Sequence, residues 1–149
     1  MSSIARSGSM TSTPLQKAAA AVGAVFLLVG ILGFVPGITS DYGDLGVAGH
    51  GSEAHLLGLF QVSVLHNVVH LLFGLVGLAV ARTLSGARTF LVAGGGVYLL
   101  LWAYGLFIEP ESGLNFVPVN AADNWLHLAL GLGMVALGLL LGGRPARRT

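Results

Sequence analysis

The 149-residue chain contains no cysteine. Disulfides, thiolate metal sites and cysteine nucleophiles are therefore excluded, and any metal or haem would have to rest on His, Asp, Glu, Asn or Met. Charge is scarce as well. Asp, Glu, Lys and Arg make up 9% of the residues, against about 25% in a soluble domain. The net charge of +1 gives no bulk field for nucleic acid or an acidic substrate. Phosphate-binding loops are missing too: the one glycine triplet, Gly94-Gly95-Gly96, falls inside an apolar run.

What is present is apolar. Hydrophobic residues form 54% of the chain, mean hydropathy is +0.84, and there are 23 glycines. Such a composition suits helices that pack closely in lipid, where small residues let backbones approach. Four stretches approach the roughly 20 residues needed to cross a bilayer core: Leu15–Phe34, Val62–Ala81, Thr89–Ile108 and Asn124–Gly142. Each reads as a helix, because an isolated span in lipid must satisfy its own backbone hydrogen bonds. The apolar run of span one, about 18 residues, exceeds the usual signal core and no A-x-A site follows it, so it reads as a retained span.

Charge placement orients the chain. Arg6 and Lys17 accompany span one, Arg82 and Arg88 lie between spans two and three, and Arg144, Arg147 and Arg148 follow span four. The acids Asp41, Asp44, Glu53, Glu109, Glu111 and Asp123 all fall in the two intervening segments. Basic residues are retained on the cytoplasmic side of short loops, so both termini are expected in the cytosol. Residues 1–14 are expected to form a disordered N-terminus, 15–143 a four-helix domain and 144–149 a basic tail.

An internal repeat is the most informative pattern. Span two reads Asn67-Val-Val-His70-Leu-Leu-Phe-Gly74-Leu75, and span four reads Asn124-Trp-Leu-His127-Leu-Ala-Leu-Gly131-Leu132. Spans one and three agree through Gly23, Phe26 and Gly33 against Gly95, Tyr98 and Gly105. The expected fold is thus an all-α integral membrane protein: four transmembrane helices arranged as two tandem hairpins, a parallel repeat. The outer loop stretch Ala54–Phe60 is apolar enough to lie along the membrane interface and breaks the symmetry.

His66 and His70 share a face of span two, with Gly74, Gly77 and Ala81 below them. Asp123, His127, Gly131 and Gly138 make the matching stripe on span four, with Asn124 beside it. The small-residue seams predict that spans two and four are neighbours, with the histidines inward. His66, His70 and His127 are the candidate cofactor ligands, and Asn67, Asp123 and Asn124 complete the polar cluster. Four readings compete. The side chains fix packing through interhelical hydrogen bonds. They ligate haem b or a divalent metal, with Asp123 orienting a histidine. They relay protons or line a solute path. Or they catalyse, a reading with no nucleophile–base pair behind it, since Ser63 is a lone hydroxyl. His50 and His55, near Asp41, Asp44 and Glu53, read as solvated loop residues, and Trp125 as an outer-interface anchor.

The run Leu65-His66-Asn67-Val-Val-His70-Leu-Leu-Phe-Gly74-Leu-Val-Gly77-Leu, with Asn120-Ala-Ala-Asp123-Asn124-Trp125-Leu-His127, resembles the bacterial membrane family known as domain of unknown function 4383. The resemblance implies a small four-helix protein of the bacterial cell membrane and assigns no activity. The expectation is a non-enzymatic protein: a structural or accessory subunit of a membrane assembly, with a membrane protein partner or a second copy of itself. The alternatives are a small bis-histidine haem or metal-binding redox component and a proton or small-solute transport component.

Overall fold

A computed structural model describes residues 13–142. The expectations for residues 1–12 and 143–149, including Arg6, Arg144, Arg147 and Arg148, lie outside the described residues. Four helices dominate: α1 (Pro14–Leu32), α2 (Val64–Val80), α3 (Leu84–Phe107) and α4 (Ala121–Leu140). Each start has a local cause. Thr13, Ser63, Thr83 and Asn120 lie in extended backbone, and each side chain accepts the N–H three residues on. Pro14 at the head of α1 has no N–H to leave unsatisfied.

Two starts differ from the sequence expectation, both through caps. Thr83 opens α3 five residues before Thr89, so Arg88 belongs to the helix and the α2–α3 connection is only Ala81–Thr83. Asn120 and Asp123 form a reciprocal capping box, which opens α4 three residues before Asn124.

The long α1–α2 connection is not all loop. Thr39–Ser40 (β1), His55–Leu56 (β2) and Phe60–Gln61 (β3) form a small antiparallel sheet in the order β1-β2-β3, and one turn of 3-10 helix covers Tyr42–Asp44. The fold is all-α as expected, with this small sheet confined to the one connection. The β2–β3 turn holds Leu57 at φ 55° and Gly58 at φ 69°, a left-handed pair that reverses the chain within three residues. Ala54, Leu56 and Val62 are buried beneath this sheet with Val29, Leu32 and Phe60 packed on them.

The helices pack as two tight hairpins, α1 with α2 and α3 with α4. A Cβ on Gly74 would come within 2.7 Å of the Gly23 carbonyl oxygen, and one on Gly95 within 2.8 Å of the Gly131 oxygen. The expected seam between α2 and α4 is therefore absent. Gly74 packs on α1, Gly77 meets Gly23 and the Phe90 ring, and Gly131 and Gly138 pack on α3. Glycine brings each helix against its hairpin partner, and the two hairpins meet through larger side chains. Phe26, Phe90, Leu91, Tyr98 and Met134 form that shared core, with Phe73 against it.

The outer faces are apolar throughout. Val25, Leu28 and Ile31 on α1, Leu72, Leu75 and Val76 on α2, Leu100 and Leu106 on α3, and Leu132 and Leu139 on α4 are all exposed. Surfaces of that extent belong against lipid. α1, α3 and α4 are long and apolar enough to cross a membrane; α2 is apolar and, at 17 residues, shorter.

Candidate functional site

The histidines and asparagines of α2 and α4 gather at one end of the bundle, beneath the connections. His66 follows the Ser63 cap and points inward, 5% exposed. His70 lies one turn further, and its ring stacks on that of His66 with centroids 4.4 Å apart and planes 13° from parallel. His127 comes from the opposite hairpin and is buried. His70 and His127 each stand six residues into their helices, about 9 Å from the start at 1.5 Å per residue.

Each of these two histidines faces an aromatic ring from its hairpin partner. Phe26 of α1 lies 5.5 Å from His70, Tyr98 of α3 lies 5.2 Å from His127, and Phe26 and Tyr98 are 5.3 Å apart. The asparagines are placed in like manner. Asn67 lies under Gly33 and Asn124 under Gly105, each so close that a Cβ on the glycine would overlap the amide. The sequence pairs Phe26 with Tyr98 and Gly33 with Gly105, yet gives none of them a place at the site; only the packing does.

Asp123 occupies a different role from the one expected. Its Oδ2 accepts from the backbone N–H of Gln61 at 3.0 Å and of Asn120 at 3.1 Å. The carboxylate thus closes the α4 cap and fastens β3 to it, rather than orienting an imidazole. Gln61 in turn donates to the carbonyl oxygens of His50 and Ser52, and Asn120 Nδ2 donates to that of Leu59. Gly49 donates to the Phe116 carbonyl at 2.6 Å. The two connections are stitched together over the histidines.

Two partly open cavities flank the imidazoles. One of about 150 Å³ lies under the α3–α4 connection, walled by Val69, Tyr98, Leu101, Phe116 and Val119. The other, about 100 Å³, lies under the β2–β3 turn, walled by Val29, Leu56, Phe60, Asp123 and Leu130. His66, His70 and His127 line both. Four buried side-chain atoms among the described residues have no hydrogen-bond partner, and all four belong here: His66 Nδ1, Asn67 Nδ2, Asn124 Oδ1 and His127 Nδ1. An unsatisfied buried polar atom costs about 1–3 kcal/mol, and the four converge in one place.

Pockets that hold drug-sized ligands run from about 300 to 1,000 Å³, larger than either cavity. Among the described residues no group of three or more His, Asp or Glu side chains is placed to hold an ion.

A helical bundle faced with Leu and Val, carrying a buried imidazole cluster at one end, defines a membrane-embedded protein. Within that class the chain belongs to the family described as "Domain of unknown function (DUF4383)", whose model matches residues 16–140. It is also 31% identical over 93 residues to a protein of Geobacillus thermodenitrificans (strain NG80-2) named "Putative manganese efflux pump MntP". That match covers 60% of this chain, which spans about half the length (51%) of that relative. No solved structure matches the chain.

Proposed function

We propose that this protein is a non-enzymatic component of membrane transport, in which His66, His70 and His127 handle the species that passes. The observation that carries the reading is the position of three imidazoles, His66 and His127 buried and His70 half-buried, between two cavities in an otherwise apolar bundle. Ionisable side chains inside a membrane bundle are expensive and mark ion or proton routes. The relative named as an efflux pump supports the transport class only. Manganese as cargo is disfavoured by the site's chemistry: that ion prefers carboxylate and carbonyl oxygen, whereas three imidazoles dominate here and Asp123 already serves two backbone donors.

The same reading takes all four helices as spans of a bacterial cell membrane, built from a duplicated hairpin. The paired contacts support duplication: Gly23 on Gly74 and Gly95 on Gly131, Gly33 over Asn67 and Gly105 over Asn124, Phe26 beside His70 and Tyr98 beside His127. The short α2 runs along α1 through Gly23, Gly30 and Gly33, which supports a crossing of its own. Lys17, Arg82 and Arg88 lie at one end, where Gln16 Nε2 donates to the Arg82 carbonyl, and the acids lie at the other. That polarity supports a cytosolic placement of both chain ends.

The test is flux in proteoliposomes containing the full chain, with internal dyes for protons and for divalent metal. Wild-type protein is expected to dissipate an imposed gradient, and His70→Ala to slow it at least about tenfold at equal incorporation, the scale of about 1.4 kcal/mol. Unchanged flux in the variant would remove His70 from the route. Silent wild-type vesicles would sink the transport reading in favour of an accessory subunit, which the unsatisfied asparagines between tightly packed helices favour. Co-purification in mild detergent would then be expected to bring down a partner or a second copy.

A further inference from the structure

Val69 of α2 and Leu101 of α3 line the cavity of about 150 Å³ and are also exposed on the apolar flank, so they stand at its mouth. Because α2 packs on α1 and α3 on α4, the flank between α2 and α3 is the more loosely closed. A guest therefore arrives from the acyl chains. Among the described residues no Asp, Glu, Lys or Arg lines this cavity, Asp123 belonging to the other one. A charged guest would lie in apolar surroundings without a counter-ion, so the guest is neutral.

Polar groups wait for it at the wall. Tyr98 and His127, both more than nine-tenths buried, line the cavity with their rings 5.2 Å apart, edge to face. Among the described residues neither the Tyr98 hydroxyl nor either nitrogen of His127 has a hydrogen-bond partner. His70, half-buried, lines it too, and its Nδ1 lies 3.0 Å from the carbonyl oxygen of His66. A carbonyl only accepts, so Nδ1 carries the hydrogen and Nε2 of the neutral ring is left as an acceptor. The wall thus offers an acceptor on His70 and a hydroxyl on Tyr98 that both donates and accepts. A guest hydroxyl satisfies such a set, whereas an ether or carbonyl oxygen leaves His70 unmet. Size adds a further condition. A cavity of about 150 Å³ takes one benzene-sized ring, and Tyr98, Tyr104 and Phe116 give this one aromatic walls.

We propose that this cavity is a site for a lipid-soluble, neutral phenol, its ring inside, its hydroxyl among His70, Tyr98 and His127, and any apolar tail leaving past Val69 and Leu101 into the bilayer. The site stands whether or not anything crosses the bundle. The test is ring-nitrogen NMR of the full chain, labelled with ¹⁵N-histidine, in lipid nanodiscs at fixed pH. The probe is 4-propylphenol, and 4-propylanisole, with the same ring and tail but no hydroxyl hydrogen, is the control. The phenol is expected to shift His70 Nε2 saturably and the anisole to bind at least about tenfold more weakly, because a site built for a hydroxyl rejects the analogue lacking it. Tyr98→Phe, which removes one oxygen and keeps the ring, is expected to weaken phenol binding severalfold. Leu101→Trp, at the lipid-exposed mouth, is expected to abolish it by filling the space. Shifts that only track partition into lipid, equal binding of phenol and anisole, or full binding in Leu101→Trp would each overturn the site; where Tyr98→Phe fails to fold, the wild-type comparison of the two compounds decides. Selective phenol binding by protein that supports no flux would keep the site and retire the transport reading. Flux through protein that does not distinguish phenol from anisole would do the reverse.

Discussion

At the residue scale the glycines fall into two kinds that composition alone does not separate. Gly94, Gly95 and Gly96 are consecutive, yet Gly94 faces the Met134 and Phe73 side chains, Gly95 faces the Gly131 backbone, and nothing stands within 4 Å of a Cβ on Gly96. Gly95→Ala and Gly74→Ala are thus expected to destabilise by about 1–3 kcal/mol, since backbone cannot step aside as a side-chain tip can. Gly96→Ala and Gly133→Ala, both open, are expected to be neutral or to stabilise by up to about 1 kcal/mol through helix propensity. Thermal unfolding of the four variants in detergent tests this, and equal losses in all four would defeat it. The repeated Asn and His were legible in the sequence because polar residues are rare in apolar runs. Their neighbours Phe26, Tyr98, Gly33 and Gly105 were not, because an aromatic or a glycine inside a span carries no sign of which helix it faces.

At the element scale, hydrophobic runs locate the helices and caps set their ends. Span one was read to within two residues, and the ends of spans two and three to within one. The starts of α3 and α4 were missed because Thr83 and the Asn120–Asp123 box act on backbone N–H groups and leave no mark on hydropathy. The capping box could have been found from its spacing. The sheet could not, since two-residue strands are too short for a period-2 pattern. Asp123 joins two elements, so its loss should exceed that of a simple cap. Asn120→Ala is expected to cost about 1 kcal/mol. Asp123→Ala is expected to cost about 2 kcal/mol or more, with faster proteolysis between Gly43 and Gly58, because the backbone N–H of Gln61 loses its acceptor. Limited proteolysis of both variants is the measurement, and identical cleavage rates would show that the tie to β3 is inconsequential.

At the scale of the whole molecule, the seam expected between spans two and four belongs instead within each hairpin. Periodicity finds a small-residue stripe but does not name its partner: the glycines pair α1 with α2 and α3 with α4 across long connections, whereas the short turn Ala81–Thr83 joins α2 to α3 across the two hairpins. The absence of cysteine makes the proposed topology simple to test, since any introduced thiol is the sole one. Arg82 and Glu111 are both exposed, at opposite ends of the bundle. In intact cells a membrane-impermeant maleimide is expected to label Glu111→Cys at once and Arg82→Cys only after permeabilisation. The reverse pattern would turn the protein over and place the histidines in the inner leaflet.

The brevity of α2 has a consequence for the surrounding lipid. Seventeen residues rise about 25 Å, against about 36 Å for the 24 residues of α3 and a hydrocarbon thickness near 30 Å. On the proposed four-span reading, the bilayer beside α2 pinches by several ångströms, at fractions of a kcal/mol for each. The pinch falls on one flank only, because α3 on the other side overreaches. Short-chain lipids should therefore be the more comfortable host, and the polar headgroups beside α2 should ride closer to the imidazoles than anywhere else around the bundle.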